Sequence, residues 1–95
     1  MSPGEVVRAH IWVSGRVQGV AYRAFAQDAA TRSGLSGGVR NLDDGRVEVD
    51  VEGDRSAIEG FITQLKSGPR LARVDSLDVK WEKPSGQQRG FQIWR

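Results

Sequence analysis

The sequence has no cysteine and a single histidine, His10. The missing cysteine excludes disulfides, thiolate nucleophiles, iron–sulfur clusters and thiolate zinc sites, and it is compatible with a reducing compartment. One histidine excludes HExxH and any two-histidine metal centre. No apolar run approaches the ~20 residues that a membrane-spanning helix needs. The opening residues, Met1-Ser2-Pro3-Gly4-Glu5, lack the basic start and apolar stretch of a signal peptide. A cytoplasmic protein with no membrane partner is therefore expected. Charge of one sign is also scarce. The formal net charge is only +2, from 14 basic and 12 acidic residues, too small an excess to imply nucleic acid.

What remains describes one globular domain. The chain has 95 residues, 27% charged and 38% hydrophobic. A chain of this size buries about 60–65% of the surface its unfolded form exposes, enough for one two-layer core. Residues 1–6 read as a flexible lead-in and residues 7–95 as a single domain.

Hydrophobic periodicity supplies the elements. Val7, Ala9, Ile11 and Val13 alternate with polar partners, the pattern of a half-buried strand. Residues 15–20 follow as a turn with a glycine near each end. The period then changes: Tyr22, Phe25, Ala26, Ala29 and Ala30 form a helical stripe, ended by Gly34. Leu35 to Leu42 is a second extended segment, and Asp44-Gly45 is a hairpin turn. Val47, Val49 and Val51 mark the clearest strand, with Arg46, Glu48, Asp50 and Glu52 on its exposed side. Asp54 is a good N-cap for a second helix striped by Ile58, Phe61, Ile62 and Leu65. Lys66, Gly68 and Pro69 end it. Ala72 and Val74 begin a fourth strand that Leu77, Val79 and Trp81 continue on the opposite parity, so a bulge or a bend is expected between Val74 and Leu77. Phe91 and Ile93 mark a short last strand. The order β-α-β-β-α-β plus a terminal strand predicts an α+β, ferredoxin-like split βαβ sandwich: an antiparallel sheet with two helices on one face.

Such a fold hosts many functions, so function must come from a site. Gly15-Arg16-Val17-Gln18-Gly19-Val20 lies between a strand and a helix start. Glycines let successive backbone N–H groups turn into one concavity, and the first helical N–H groups lack intrahelical partners. A phosphate suits that position. Arg23 falls in the first helical turn, where the helix dipole disfavours a cation. A local rule broken beside a plausible anion site marks a candidate for function, and a guanidinium can hold two phosphate oxygens at once. Asn41, near the end of the second extended segment, either starts the hairpin turn through a backbone bond or orients a water molecule.

Two signatures in this order resemble the acylphosphatase family. The first is Val13-Ser14-Gly15-Arg16-Val17-Gln18-Gly19-Val20-Ala21-Tyr22-Arg23; the second is Val39-Arg40-Asn41, followed by Gly45-Arg46-Val47 and Gly53. The resemblance runs from about Val7 to Ile93 and implies the same ferredoxin-like fold. It implies hydrolysis of the carboxyl–phosphate anhydride of acetyl, carbamoyl or glyceroyl phosphate types, giving a carboxylate and inorganic phosphate, itself a competitor. Arg23 and the 15–23 loop amides would bind the phosphoryl group, and Asn41 would position water. No metal, cofactor or nucleic acid is implied, and a monomer is expected. His10, expected on the outer face of its strand, belongs to neither signature, so the substrate's own phosphate oxygen is the expected proton acceptor.

Three positions depart from the family pattern. Gly38 stands where an aromatic is usual, and losing a packed aromatic costs ~3–5 kcal/mol. Tyr22 replaces Phe and needs a hydroxyl partner. Asp43 replaces a common Pro. Two rival readings follow: a phosphate-binding relative with little or no turnover, and an RNA-binding domain of the same topology. The latter wants aromatics on the sheet face, where acids dominate here. Trp81 and Trp94 read as packing groups, and Arg16 and Arg40 as surface arginines.

Overall fold

A computed structural model describes residues 5–86 and 89–94. Five strands and two helices follow one another as β1 (Val6–Arg16), α1 (Tyr22–Arg32), β2 (Ser36–Asn41), β3 (Val47–Asp54), α2 (Arg55–Ser67), β4 (Arg73–Glu82) and β5 (Phe91–Ile93). The sheet order is β4-β1-β3-β2-β5. The first four strands pair antiparallel, as the ferredoxin-like reading requires. The last does not: β5 runs parallel to β2, so the sheet is mixed rather than purely antiparallel. A parallel neighbour needs a long crossover, and β3, α2 and β4 supply it.

Alternation in the sequence becomes burial in the fold. Ala9, Ile11, Val13, Val39, Val47, Val49 and Val51 are fully enclosed on the face that carries the helices. Tyr22, Ala26, Ala29 and Ala30 meet them from α1, and Ile58, Phe61 and Leu65 from α2. Asp54 caps α2 by accepting the Ser56 amide at 3.4 Å. The helix that follows has the cap its sequence promises; α1, as shown below, has none. The expected slip in β4 is present, since Ser14 pairs with Ser76 but Gly15 with Val74. Asp75 is the extra residue of that bulge.

Two boundaries move. The first strand starts at Val6, inside the segment read as a lead-in, and the Glu5 carbonyl accepts the Arg55 amide at 2.9 Å. Arg46 lies before β3 rather than in it, and pairs with Asp44 at 2.8 Å in the turn.

The outer face of the sheet corrects a larger expectation. Asp50 and Glu52 are buried, not exposed. Arg8 holds Asp50 through Nε at 2.8 Å and through a second, shorter bond. Glu48 takes His10 Nε2 at 2.7 Å and Arg40 Nε at 2.6 Å. Glu52 accepts the Ser85 amide at 2.6 Å and the Gly86 amide at 3.1 Å. Burial pushes both glutamate carboxyls up, but these hydrogen bonds outweigh it and hold each below its ordinary value. The acids are internal partners in a polar network. Arg40, read as a surface arginine, belongs to that network. His10 lies on this outer face as expected, stacked on Trp12 with centroids 4.2 Å apart.

Gly38 also turns out differently. Its missing side chain leaves no gap, because the Trp94 indole lies over it: a Cβ at Gly38 would come within 2.1 Å of the Trp94 ring. The Trp94 amide donates to the Val39 carbonyl at 2.7 Å, which holds the ring in place. The Trp94 aromatic thus covers the strand at the position where the resemblance leads one to expect an aromatic within it. Gly38→Trp is expected to destabilise by about 1–3 kcal/mol through overpacking. Thermal melts check this: Gly38→Trp combined with Trp94→Ala should recover much of the loss, whereas additive losses would refute the contact.

Candidate active site

The segment joining β1 to α1 alternates in backbone hand. Gly19 has φ 74° and Ala21 φ 62°, while Val20 between them stays on the ordinary side. That alternation aims successive N–H groups towards one side, the arrangement that binds anions. Ala21 is the only non-glycine among the described residues with positive φ, a conformation costing an L-residue roughly 1–2 kcal/mol. It sits at the N-cap of α1, where its methyl can accept nothing, and the first turn holds no acidic residue. Among the described residues no acceptor meets the backbone amides from Gln18 to Ala24. A helix start left open in this way has the geometry and partial charge that suit an anion.

Arg23 points the same way. It lies in the first turn of α1, half-buried, and has no ion pair or side-chain hydrogen bond among the described residues. A half-buried guanidinium without a carboxylate is costly unless another anion visits it. Asn41 ends β2 beside this loop, and its Oδ1 is buried with no hydrogen-bond partner among the described residues. Buried amide oxygens are normally paired, so this one has an accepting position left open to a ligand or water.

These groups share one cleft of about 190 Å³, lined by Val17, Gly19, Ala21, Tyr22, Arg23, Ala24, Asn41 and Ile93. It is smaller than the roughly 300–1,000 Å³ of sites for drug-sized ligands. No histidine or carboxylate lines it. Tyr22 offers only its ring. Its hydroxyl donates to the Leu65 carbonyl at 2.6 Å, and burial raises the phenol above its usual range. The departure from Phe at this position therefore has its partner, and the bond ties the start of α1 to the end of α2.

Not every expected site residue reaches the cleft. Gly15 and Arg16 belong to β1 and pair with β4. Gly15 abuts the Asp75 bulge, where a Cβ would meet the Arg73 carbonyl oxygen at 2.2 Å, so its role is to let two backbones close up. Val20 packs against the core. Gln18 turns its side chain away from the cleft and donates to the Leu42 and Arg46 carbonyls, at 2.8 and 2.9 Å. It clamps the loop to the hairpin that follows Asn41, so the two halves of the site move together. Gln18→Ala removes two bonds worth about 0.5–1.5 kcal/mol each. A fall in melting temperature together with weaker phosphate inhibition is expected; lost stability with unchanged inhibition would limit the clamp to a structural role. Ala24 and Ile93 were not expected at the site, and Ala21 was expected only as one of the loop amides. Nothing in the sequence marks an alanine for positive φ, and Ile93 read only as a strand residue.

A small cleft of open amides and one arginine without a partner among the described residues, on a ferredoxin-like sheet, defines a small α+β domain with a polar pocket at a helix start. The acylphosphatase family model matches residues 9–93, and the chain belongs to the acylphosphatase family, whose members are hydrolases. It is 54% identical over 89 residues to the acylphosphatase of Roseiflexus sp. (strain RS-1), covering 94% of this chain and 96% of that one. The crystal structure of acylphosphatase from Bacillus subtilis superimposes with a TM-score of 0.91 at 36% identity, covering 94% of this chain and 99% of that one. The HypF protein of T. kodakarensis contains a similar region, with a TM-score of 0.82 and 39% identity, spanning 94% of this chain but 12% of HypF.

Proposed function

We propose that this acylphosphatase hydrolyses acyl phosphates by gripping the phosphoryl group and placing water against it, without a metal. The observation that carries the reading is the convergence of Arg23, Asn41 and the unpartnered amides of Gly19 and Ala21 to Ala24 on one cleft. The amides from Gln18 to Ala24 and the Arg23 fork take the non-bridging phosphoryl oxygens. Asn41 orients a water molecule, whose oxygen forms a bond to phosphorus as the bond from phosphorus to the acyl oxygen breaks. The leaving carboxylate takes the electron pair, and one water proton passes to a phosphoryl oxygen. An acyl phosphate dianion and water thus become a carboxylate and dihydrogen phosphate.

The chemistry asks little else of the protein. A carboxylate leaves readily near neutral pH, and phosphoryl transfer depends chiefly on positioning and charge stabilisation. The absence of a base in the cleft fits a proton carried by the substrate itself. His10 lies on the opposite face of the sheet, bound to Glu48. One chain supplies every group, so no second subunit is needed.

The test is hydrolysis of benzoyl phosphate by the purified protein with a chelator present and inorganic phosphate as competitor. Turnover that survives chelation and falls with phosphate is expected. A folded but inert protein would leave a phosphate-binding relative; loss of turnover on chelation would overturn the metal-free route.

A further inference from the structure

We infer that Ile93 is a specificity-determining residue, forming with Ala21 and Ala24 an apolar lip that receives the acyl part of the substrate. The inference rests on the phosphoryl site proposed above and says which end of the substrate lies where. The polar groups of the cleft are accounted for by the phosphoryl end: the amides, Arg23 and Asn41. What remains of its lining towards solvent is apolar. Ala21 and Ala24 are exposed, and Ile93 is 41% exposed.

The strand explains why that side chain is there. Phe91 and Ile93 are two residues apart on β5 and share a face. Phe91 is buried against Phe61 with ring centroids 6.1 Å apart. Ile93, paired with Val39 two residues before Asn41, lies past the core at the edge of the cleft. Only three large hydrophobic side chains are prominently exposed among the described residues, Val6, Leu71 and Ile93, and Ile93 alone of them lines this cleft. A branched apolar group kept half in water gains free energy by covering apolar ligand surface, about 25 cal/mol per Å².

An acyl phosphate whose phosphoryl group is seated on the amides carries its acyl group outward, towards that lip. The favoured class is therefore acyl phosphates with apolar acyl groups, alkyl or aryl, over the smallest ones.

The experiment compares acetyl, butyryl and benzoyl phosphate with the native protein, Ile93→Ala and Ile93→Leu. In Ile93→Ala, kcat/KM for benzoyl phosphate should fall roughly five- to tenfold, mainly through KM, as expected for losing apolar contact of a few methyl-sized groups. The loss for acetyl phosphate should be smaller, so the benzoyl-to-acetyl ratio drops at least about threefold, with butyryl phosphate between. Ile93→Leu should restore the ratio. If the native protein cleaves these substrates but the ratio does not change in Ile93→Ala, the lip is refuted and the phosphoryl site stands. A native protein that cleaves none of them overturns the acyl phosphate reading, and the lip with it, while phosphate binding is read separately by the melting shift.

Discussion

Arg23→Ala is expected to lower kcat/KM by about 10³-fold or more, the scale of an arginine that stabilises phosphoryl charge. The same substitution should leave the fold at least as stable as before. Arg23 has no partner among the described residues to lose, and it stands at a helix N-terminus, where a cation is unfavourable by about 0.3–1 kcal/mol. The two effects have opposite signs. A residue that mattered through packing would lose both activity and melting temperature. Arg23→Lys is the sharper control: it keeps the charge but not the planar fork, and should recover only a small part of the rate. Steady-state kinetics alongside thermal melts, without added phosphate, check both halves. An Arg23→Ala protein that melts lower than the native one would contradict the reading of an unpaired, functional cation.

Asn41→Ala is expected to separate turnover from binding. If Asn41 places the water, its loss lowers kcat by about a hundredfold, the cost of misplacing a reactant. Inhibition by inorganic phosphate should persist, because Arg23 and the loop amides remain. Stability should change little or rise, since the buried Oδ1 has no partner within the described residues and removing it spares a desolvated acceptor. Asn41→Asp is expected to fail on both counts, because a carboxylate beside the cleft repels the phosphoryl group. If phosphate inhibition vanishes in Asn41→Ala as it does in Arg23→Ala, Asn41 belongs to the anion grip instead.

The fold, and the place of Arg23 in the first turn of a helix without an acidic residue, were legible in the sequence for physical reasons. Period-two valines and the alanine stripe of α1 respond to burial on one face, which pattern reports directly. Arg23 stood out because it violates the helix dipole, and such a conflict is visible without coordinates. The loop was legible only as a region. Whether a glycine binds a ligand or merely lets two backbones close up depends on what lies across the sheet, and for Gly15 that is the Arg73 carbonyl in the β4 bulge. The Gln18 side chain is taken by carbonyls more than twenty residues away in the hairpin, a partner its loop position does not reveal. Gly38 looked like a loss of packing until Trp94 was found over it, and Asp50 and Glu52 looked solvated until Arg8 and residues 85–86 were found against them. Each of these misses involves a partner distant in the chain, which local periodicity cannot report.

The central claim is that Arg23 and the open amides of the β1–α1 segment form one anion site. It is tested most directly by melting the native protein and Arg23→Ala in increasing inorganic phosphate, with chloride at matched ionic strength. Binding to the folded state alone stabilises by about 2.7 kcal/mol at a hundred times Kd, a shift of many degrees for a domain of this size. The account predicts a saturable rise for the native protein in phosphate, none in chloride, and a rise largely abolished in Arg23→Ala. An equal rise in both proteins, or none in the native one, would contradict it.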